Sequence, residues 1–284
     1  MLAVTILIAG LAISLLSAMA WRSSVQKHEA QAFQTSSTDV TETLETMLNR
    51  DTDFVAGLRA VLTMQPHLSA TAFDHWYAGL EGKHRQVGSL GSNVMVSVPA
   101  SELAAFQARR NIDPAFRALL GNKVVPVKAT GRARYCVLSA GGTVVPYTPA
   151  VTRLLQGDWC DPGSPIGSYR DGGTTQARIT RAATDTGQFV AYPVSAQGVQ
   201  TLFVETAFYR QGTKLATAAQ RRAAVAGWIA SSFDVSTMIR SALGSYKHMS
   251  VALYHANPGS PMELVGHGGT ATKSGNHRTP VGTP

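Results

Sequence analysis

The sequence is poor in charge and in cysteine, and it carries no catalytic signature. Charged residues make up 15% of the 284, against roughly 25% in an average globular chain. With 44% hydrophobic residues, that composition excludes a charge-rich disordered chain. There is no CxxC pair and no histidine at metal-ligand spacing from either cysteine, which removes zinc ribbons and thioredoxin-like redox chemistry. No GxSxG, HExxH, GxxxxGK[ST] or GxGxxG occurs. These gaps leave nothing on which to base a hydrolase, a metalloprotease or a nucleotide site. His248 and His255, the only histidines close together late in the chain, are seven apart and so fall on opposite faces of a strand. No enzyme activity, cofactor or metal is expected. The basic excess, net charge +8, is scattered and not interleaved with aromatics. It suits a surface facing anionic lipid or wall polymer rather than nucleic acid.

What the sequence does have is one long apolar run. Residues 2–20 (LAVTILIAGLAISLLSAMA) hold no charge, and Trp21 and Arg22 follow at once. At 1.5 Å per residue such a run just spans a ~30 Å hydrocarbon core. A retained membrane anchor over residues 1–21 is expected. Ala18-Met19-Ala20 also fits a signal-peptidase site, but no positive n-region precedes the run. Arg22 and Lys27 behind it run against an outside location on the positive-inside rule. The two cysteines argue for the outside. In an exported domain Cys136 and Cys160 pair, closing a loop that stabilises the fold by ~3 kcal/mol; in a cytoplasmic one they stay as two buried thiols.

A helical stalk is expected over residues 22–66. Val40, Leu44, Met47, Phe54, Leu58 and Val61 follow a 4-3 spacing that only Asp51 interrupts, and Pro66 ends it. Such a stripe either pairs with a second copy, making a homodimer, or lies along its own domain. The Ser/Thr-rich patch at 35–41 is a candidate interruption. Ser69 caps a short helix closed by Gly82, and Val94, Val96 and Val98 alternate as a strand ended by Pro99. Ser101 is the candidate cap of ELAAFQARR. Tyr135–Leu138 is a short strand, 157–173 a turn-rich loop, and Thr175–Thr184 a helix stopped by Gly187. Phe189–Val194 and Thr201–Tyr209 form a hairpin. Thr217 and Gln220 make a capping box before the strand Val225–Phe233. Asp234 caps the helix VSTMIRSAL, His248–His255 is a last strand, and 267–284 is a disordered tail. This irregular alternation indicates an α+β fold, with the folded domain over 67–266.

Ordered in this way, the chain resembles the CHASE sensory domain of receptor histidine kinases, diguanylate cyclases and plant cytokinin receptors. The segment 68–109 is similar to that family's opening helix, strand and VP-x-x-E-x-x-x-F helix, through Val98, Pro99, Glu102 and Phe106. Residues 177–194 resemble its A-x-D-T-G…P-V stretch, with Ala183, Asp185, Thr186, Gly187, Pro193 and Val194. Residues 201–212 resemble the next strand, with Ala207-Phe208-Tyr209 in place of PVY, and 223–243 resemble the closing strand and helix. The resemblance implies a stalk helix bearing two PAS-like α/β subdomains, the distal one holding a small-molecule pocket. It places an aspartate, Asp158 or Asp161, at that pocket, together with Ala191, Tyr192, Phe203 and Glu205. Alternation alone makes Phe203 a core residue, and Glu205 either faces solvent or is buried with a partner.

The expectation is an extracytoplasmic ligand-sensing domain of a membrane receptor, single-pass in this chain and without its output module. The alternative is a single-span envelope protein that binds wall polymer.

Overall fold

The computed structural model describes residues 2–80, 87–144, 146–166, 170–171, 174–196, 199–246, 248–256 and 261–270, without the side chains of 2–9, 12, 170–171, 174, 194–196 and 200. The chain divides into two units, one of Met1–Thr46 with Thr272–Pro284 and one of Met47–Ala271. In order, the elements are α1 (Leu2–Met64), α2 (Ala70–Gly79), β1 (Ser89–Pro99), α3 (Leu103–Ile112), α4 (Pro114–Leu119), β2 (Arg134–Thr143) and α5 (Pro149–Leu155). There follow β3 (Arg170–Asp171), β4 (Thr174–Thr175), α6 (Gln176–Thr186), β5 (Val190–Ala196), β6 (Val199–Tyr209), α7 (Ala218–Ala224), β7 (Val225–Asp234), α8 (Val235–Leu243), β8 (Ser250–His255) and β9 (Glu263–Gly269).

In the first unit the described backbone is helical throughout, and the Ser/Thr patch does not interrupt it. Thr38 and Thr43 return their hydroxyls to the carbonyls of Gln34 and Asp39, at 3.0 and 2.8 Å. A hydroxyl satisfied four residues back leaves the helical ladder intact. Among the described residues no helix is long and apolar enough to cross a membrane. The apolar run 2–20 lies partly outside them, since the side chains of 2–9 and 12 are not described.

The second unit is organised by one five-stranded sheet, order β2-β1-β7-β6-β5, antiparallel at every pairing. Two subdomains with a sheet each were expected. Instead, every long strand between 89 and 234 joins this single sheet, and β8 with β9 makes only a two-stranded ribbon. Alternation marks a strand but not its partner. The long crossovers that carry the chain from β1 to β2 and from β2 to β5 return it to the sheet already begun.

Helices cover both faces of this sheet, as two neighbouring residues of β6 demonstrate. Thr206 accepts from Arg59 of α1, whereas Glu205 accepts from Gln176 of α6. Successive strand residues point to opposite faces, so α1 and α6 lie on opposite sides. The central strands β1 and β7 are accordingly buried along both edges of their pattern rather than alternating. On the α1 side Val55, Leu58 and Leu62 enter the core with Phe73 and Tyr77 of α2. From Met47 onward α1 therefore lies along its own domain. Gly142 of β2 permits the approach of α2, because a Cβ there would sit 2.6 Å from the Tyr77 ring.

Several local expectations agree with the backbone. Ser69, Thr217 and Asp234 cap α2, α7 and α8, and Gly187, at φ 69°, closes α6 in the left-handed region. Others do not. Ser101 lies in a 3-10 turn, Ala100–Glu102, and α3 has no side-chain cap. Helix α5, begun by Thr148 and Pro149, occupies a stretch in which no helix was expected. His267–Gly269, assigned to the tail, pairs in β9. Gly82, the tip of the 196–199 turn and the tail from 271 fall outside the described residues.

Asp51, the interruption in the apolar stripe, faces inward. It is 5% exposed, and among the described residues its Oδ2 has no hydrogen-bond partner. Burial raises its carboxyl to about 7, with Arg50 opposing. Because the folded value lies above the unfolded 3.8, this group's contribution to stability is full below about 3.8 and is lost as pH rises through about 7. Asp51→Leu should therefore stabilise the domain by ~1–3 kcal/mol at pH 8, with a smaller gain at pH 5, in urea denaturation. An equal gain at both pH values would contradict an ionised buried carboxylate.

Candidate functional site

The α6 face of the sheet carries a polar cluster within otherwise apolar packing. Antiparallel register sets Tyr192 of β5 directly opposite Phe203 of β6, and Val190 opposite Glu205. Period-two alternation then puts Tyr192, Phe203 and Glu205 on one face. The Tyr192 and Phe203 rings stack, with centroids 5.6 Å apart, and Ile179 of α6 packs on them.

Glu205 is fully buried. Its Oε2 accepts from Gln176 Nε2 at 2.6 Å, and the same amide's Oε1 accepts from the Tyr192 hydroxyl at 2.6 Å. Gln176 Nε2 also reaches Thr180 Oγ1 at 3.2 Å. Among the described residues Oε1 of Glu205 has no hydrogen-bond partner. Burial raises the carboxyl to about 8, against the lowering effect of hydrogen bonds from Thr180 and Gln176. At neutral pH the group is mainly the neutral acid, able both to donate and to accept. A buried acid with one free oxygen beside a stacked aromatic pair suits recognition of a polar group on a flat or apolar molecule.

Helix α6 is fixed against this face at its other end too. Trp228 Nε1 donates to Thr184 Oγ1 at 2.8 Å, and the Tyr209 hydroxyl donates to the Thr184 carbonyl at 2.8 Å. Gln176, Thr180 and Thr184 are buried and stand four apart, on one face of the helix. Sequence reasoning passed over these residues. Their signal was a polar i, i+4, i+8 stripe running beside the apolar Ile179 and Ala183.

The other predicted site residues lie elsewhere. Ala191 points to the opposite face from Tyr192 and pairs with Val204. Asp158 and Asp161 hold the disulfide loop. Cys136 and Cys160 are bonded, with Cα atoms 5.5 Å apart. Asp158 Oδ1 accepts from the backbone N–H of both cysteines at 3.0 Å. Asp161 Oδ1 accepts from Gly163 N at 2.9 Å. Arg132 lies 3.5 Å from each aspartate. Burial raises the Asp158 carboxyl, more than those N–H bonds and Arg132 lower it. Cys136 is on β2, three strand spacings, or ~14 Å, across the sheet from β6. The structure therefore brings Tyr192, Phe203 and Glu205 together and leaves both aspartates apart. Among the described residues the one grouping with metal-ligand geometry is Cys136, Asp158 and Cys160, and its sulfurs are bonded to each other.

Residues 168–265 match the family model for the CHASE domain. This stretch of the chain is similar to a CHASE domain. No curated protein matches the chain. The CHASE match begins just before β3 and ends within β9, and so contains Gln176, Tyr192, Phe203 and Glu205, while Asp158 and Asp161 precede it. A CHASE domain is a sensory domain of signalling receptors, and the cluster of Gln176, Tyr192 and Glu205 lies within the matched residues.

The Glu205 carboxyl has a folded value of about 8 against 4.5 unfolded. Its contribution to stability is complete below about 4.5 and disappears as pH rises through about 8. Glu205→Gln should therefore flatten the fall in unfolding free energy between pH 5 and pH 9. Parallel slopes for the two proteins in urea titrations would show that Glu205 does not titrate in that window.

Proposed function

We propose that this chain senses a small molecule outside the cytoplasm for a membrane receptor of the histidine kinase or diguanylate cyclase type. The ligand sits on the α6 face beside Tyr192, Phe203 and Glu205. The observation that carries this reading is the Oε1 of a fully buried Glu205 inside the CHASE match, which has no hydrogen-bond partner among the described residues. Binding there favours one position of α6 on the sheet, and the change passes through the packed core to α1. In this reading residues 2–20 form a single-pass anchor, the segment of α1 before Met47 pairs with a second copy, and the chain itself is not an enzyme. The Cys136–Cys160 disulfide supports an oxidising compartment.

The test is thermal unfolding of the full chain with a panel of metabolites. A ligand at a hundred times its Kd adds ~2.7 kcal/mol of stability, and Tyr192→Ala and Glu205→Gln should remove most of that gain. A protein stabilised only by wall polymer, and equally in both variants, would instead be an envelope-binding module.

A further inference from the structure

A cavity that shares no residue with the Glu205 cluster opens at the end of the sheet where β1 finishes and β2 and β7 begin. It encloses about 600 Å³, within the range of small-molecule sites. Its walls come from the turn after α1, from α3 and from the strand ends, and they include four arginines, Arg109, Arg110, Arg134 and Arg210, against two carboxylates, Glu102 and Asp113.

The balance of usable charge is more one-sided than that count. Asp113 is fully engaged within the fold. Its oxygens accept from Thr71 N, Thr71 Oγ1, Ala115 N and Phe116 N. Arg110 is likewise structural, donating to the Leu138 carbonyl at 2.9 Å and lying 4.5 Å over the Phe116 ring. The other three arginines have donors left. Arg134 uses Nε and Nη2 on Ser97, both at 2.8 Å, and keeps Nη1. Arg210 is held by the carbonyls of Val225 and Ala223 and keeps Nε. Arg109 makes no hydrogen bond or ion pair among the described residues, and it is exposed. Arg134 and Arg210 are close enough that Arg210, after burial, lowers the Arg134 guanidinium. Two exposed guanidinia, pinned by Ser97 and by the carbonyls of Val225 and Ala223 and repelling each other, with the exposed Glu102 partly offsetting that repulsion at Arg134, form a site suited to an anion. Leu68, Val96 and Phe106 add apolar wall.

We propose that this cavity binds a small organic molecule carrying a carboxylate or phosphate group, its oxyanion held by Arg109, Arg134 and Arg210 and its body against Leu68, Val96 and Phe106. Pro66 and His67 line the cavity and follow directly on α1. An occupant would therefore bear on the end of that helix, independently of the site at Glu205.

Isothermal titration of the full chain with phenyl phosphate and with benzoate at low ionic strength tests this. Saturable binding of at least one probe is expected. It should weaken about ten-fold in Arg109→Gln and in Arg210→Gln, the loss of one charged hydrogen bond. Arg153→Gln, an exposed arginine of α5 outside the cavity, should leave it unchanged. Because Arg109 is exposed and makes no hydrogen bond or ion pair among the described residues, its variant reports binding without disturbing the fold. Failure of both probes to bind would overturn the proposal. So would equal weakening by Arg153→Gln, or binding only to phosphatidylglycerol vesicles and to neither free probe.

Discussion

A sheet covered on both faces obliges every polar side chain within it to find a partner inside the protein. Much of this domain follows from that constraint. Ser92 and Ser231 share a hydrogen bond at 2.8 Å, Asn93 meets the Tyr147 hydroxyl at 3.0 Å, and Thr206 receives Arg59. These pairings tie α1 and the 144–149 segment to the strands they cover. Glu205 obeys the rule with one oxygen and breaks it with the other. A half-satisfied acid inside a double-covered sheet is costly, and such groups cluster at functional positions.

The same constraint separates the two kinds of acidic residue. Asp158 and Asp161 are held by backbone N–H groups and by Arg132 around a disulfide, which fastens an irregular loop to the edge strand β2. Glu205 sits on β6 at the other side of the sheet, against a helix rather than a loop. An aspartate that braces a turn and a glutamate that faces a packed helix have little in common beyond charge. Their separation across the sheet makes the site a matter of α6, β5 and β6.

The arginine-lined cavity arises where this covering stops. Near the end of β1 and the start of β7, Arg134 donates to Ser97 and Arg210 to the carbonyls of Val225 and Ala223. Side chains recruited to satisfy strand ends converge at one rim, which concentrates positive charge that is dispersed along the sequence.

The sequence alone determined the elements whose cause is local. Ser69, Thr217 and Asp234 cap their helices because a side-chain oxygen two or three residues from an orphan N–H needs no distant partner. Gly187 ends α6 because only glycine enters the left-handed region freely. The cysteine pairing and the CHASE-like order from α6 onward were legible for similar reasons of type and spacing. Only the tertiary structure decided that the strands form one sheet rather than two, since strand partners are chosen across long crossovers. It also decided that Asp51 faces inward. It resolved Glu205 as buried with Gln176, a residue 29 positions away. Whether a carboxylate in an apolar strand meets water or an amide depends on which helix lies over it, and no periodicity within the strand records that.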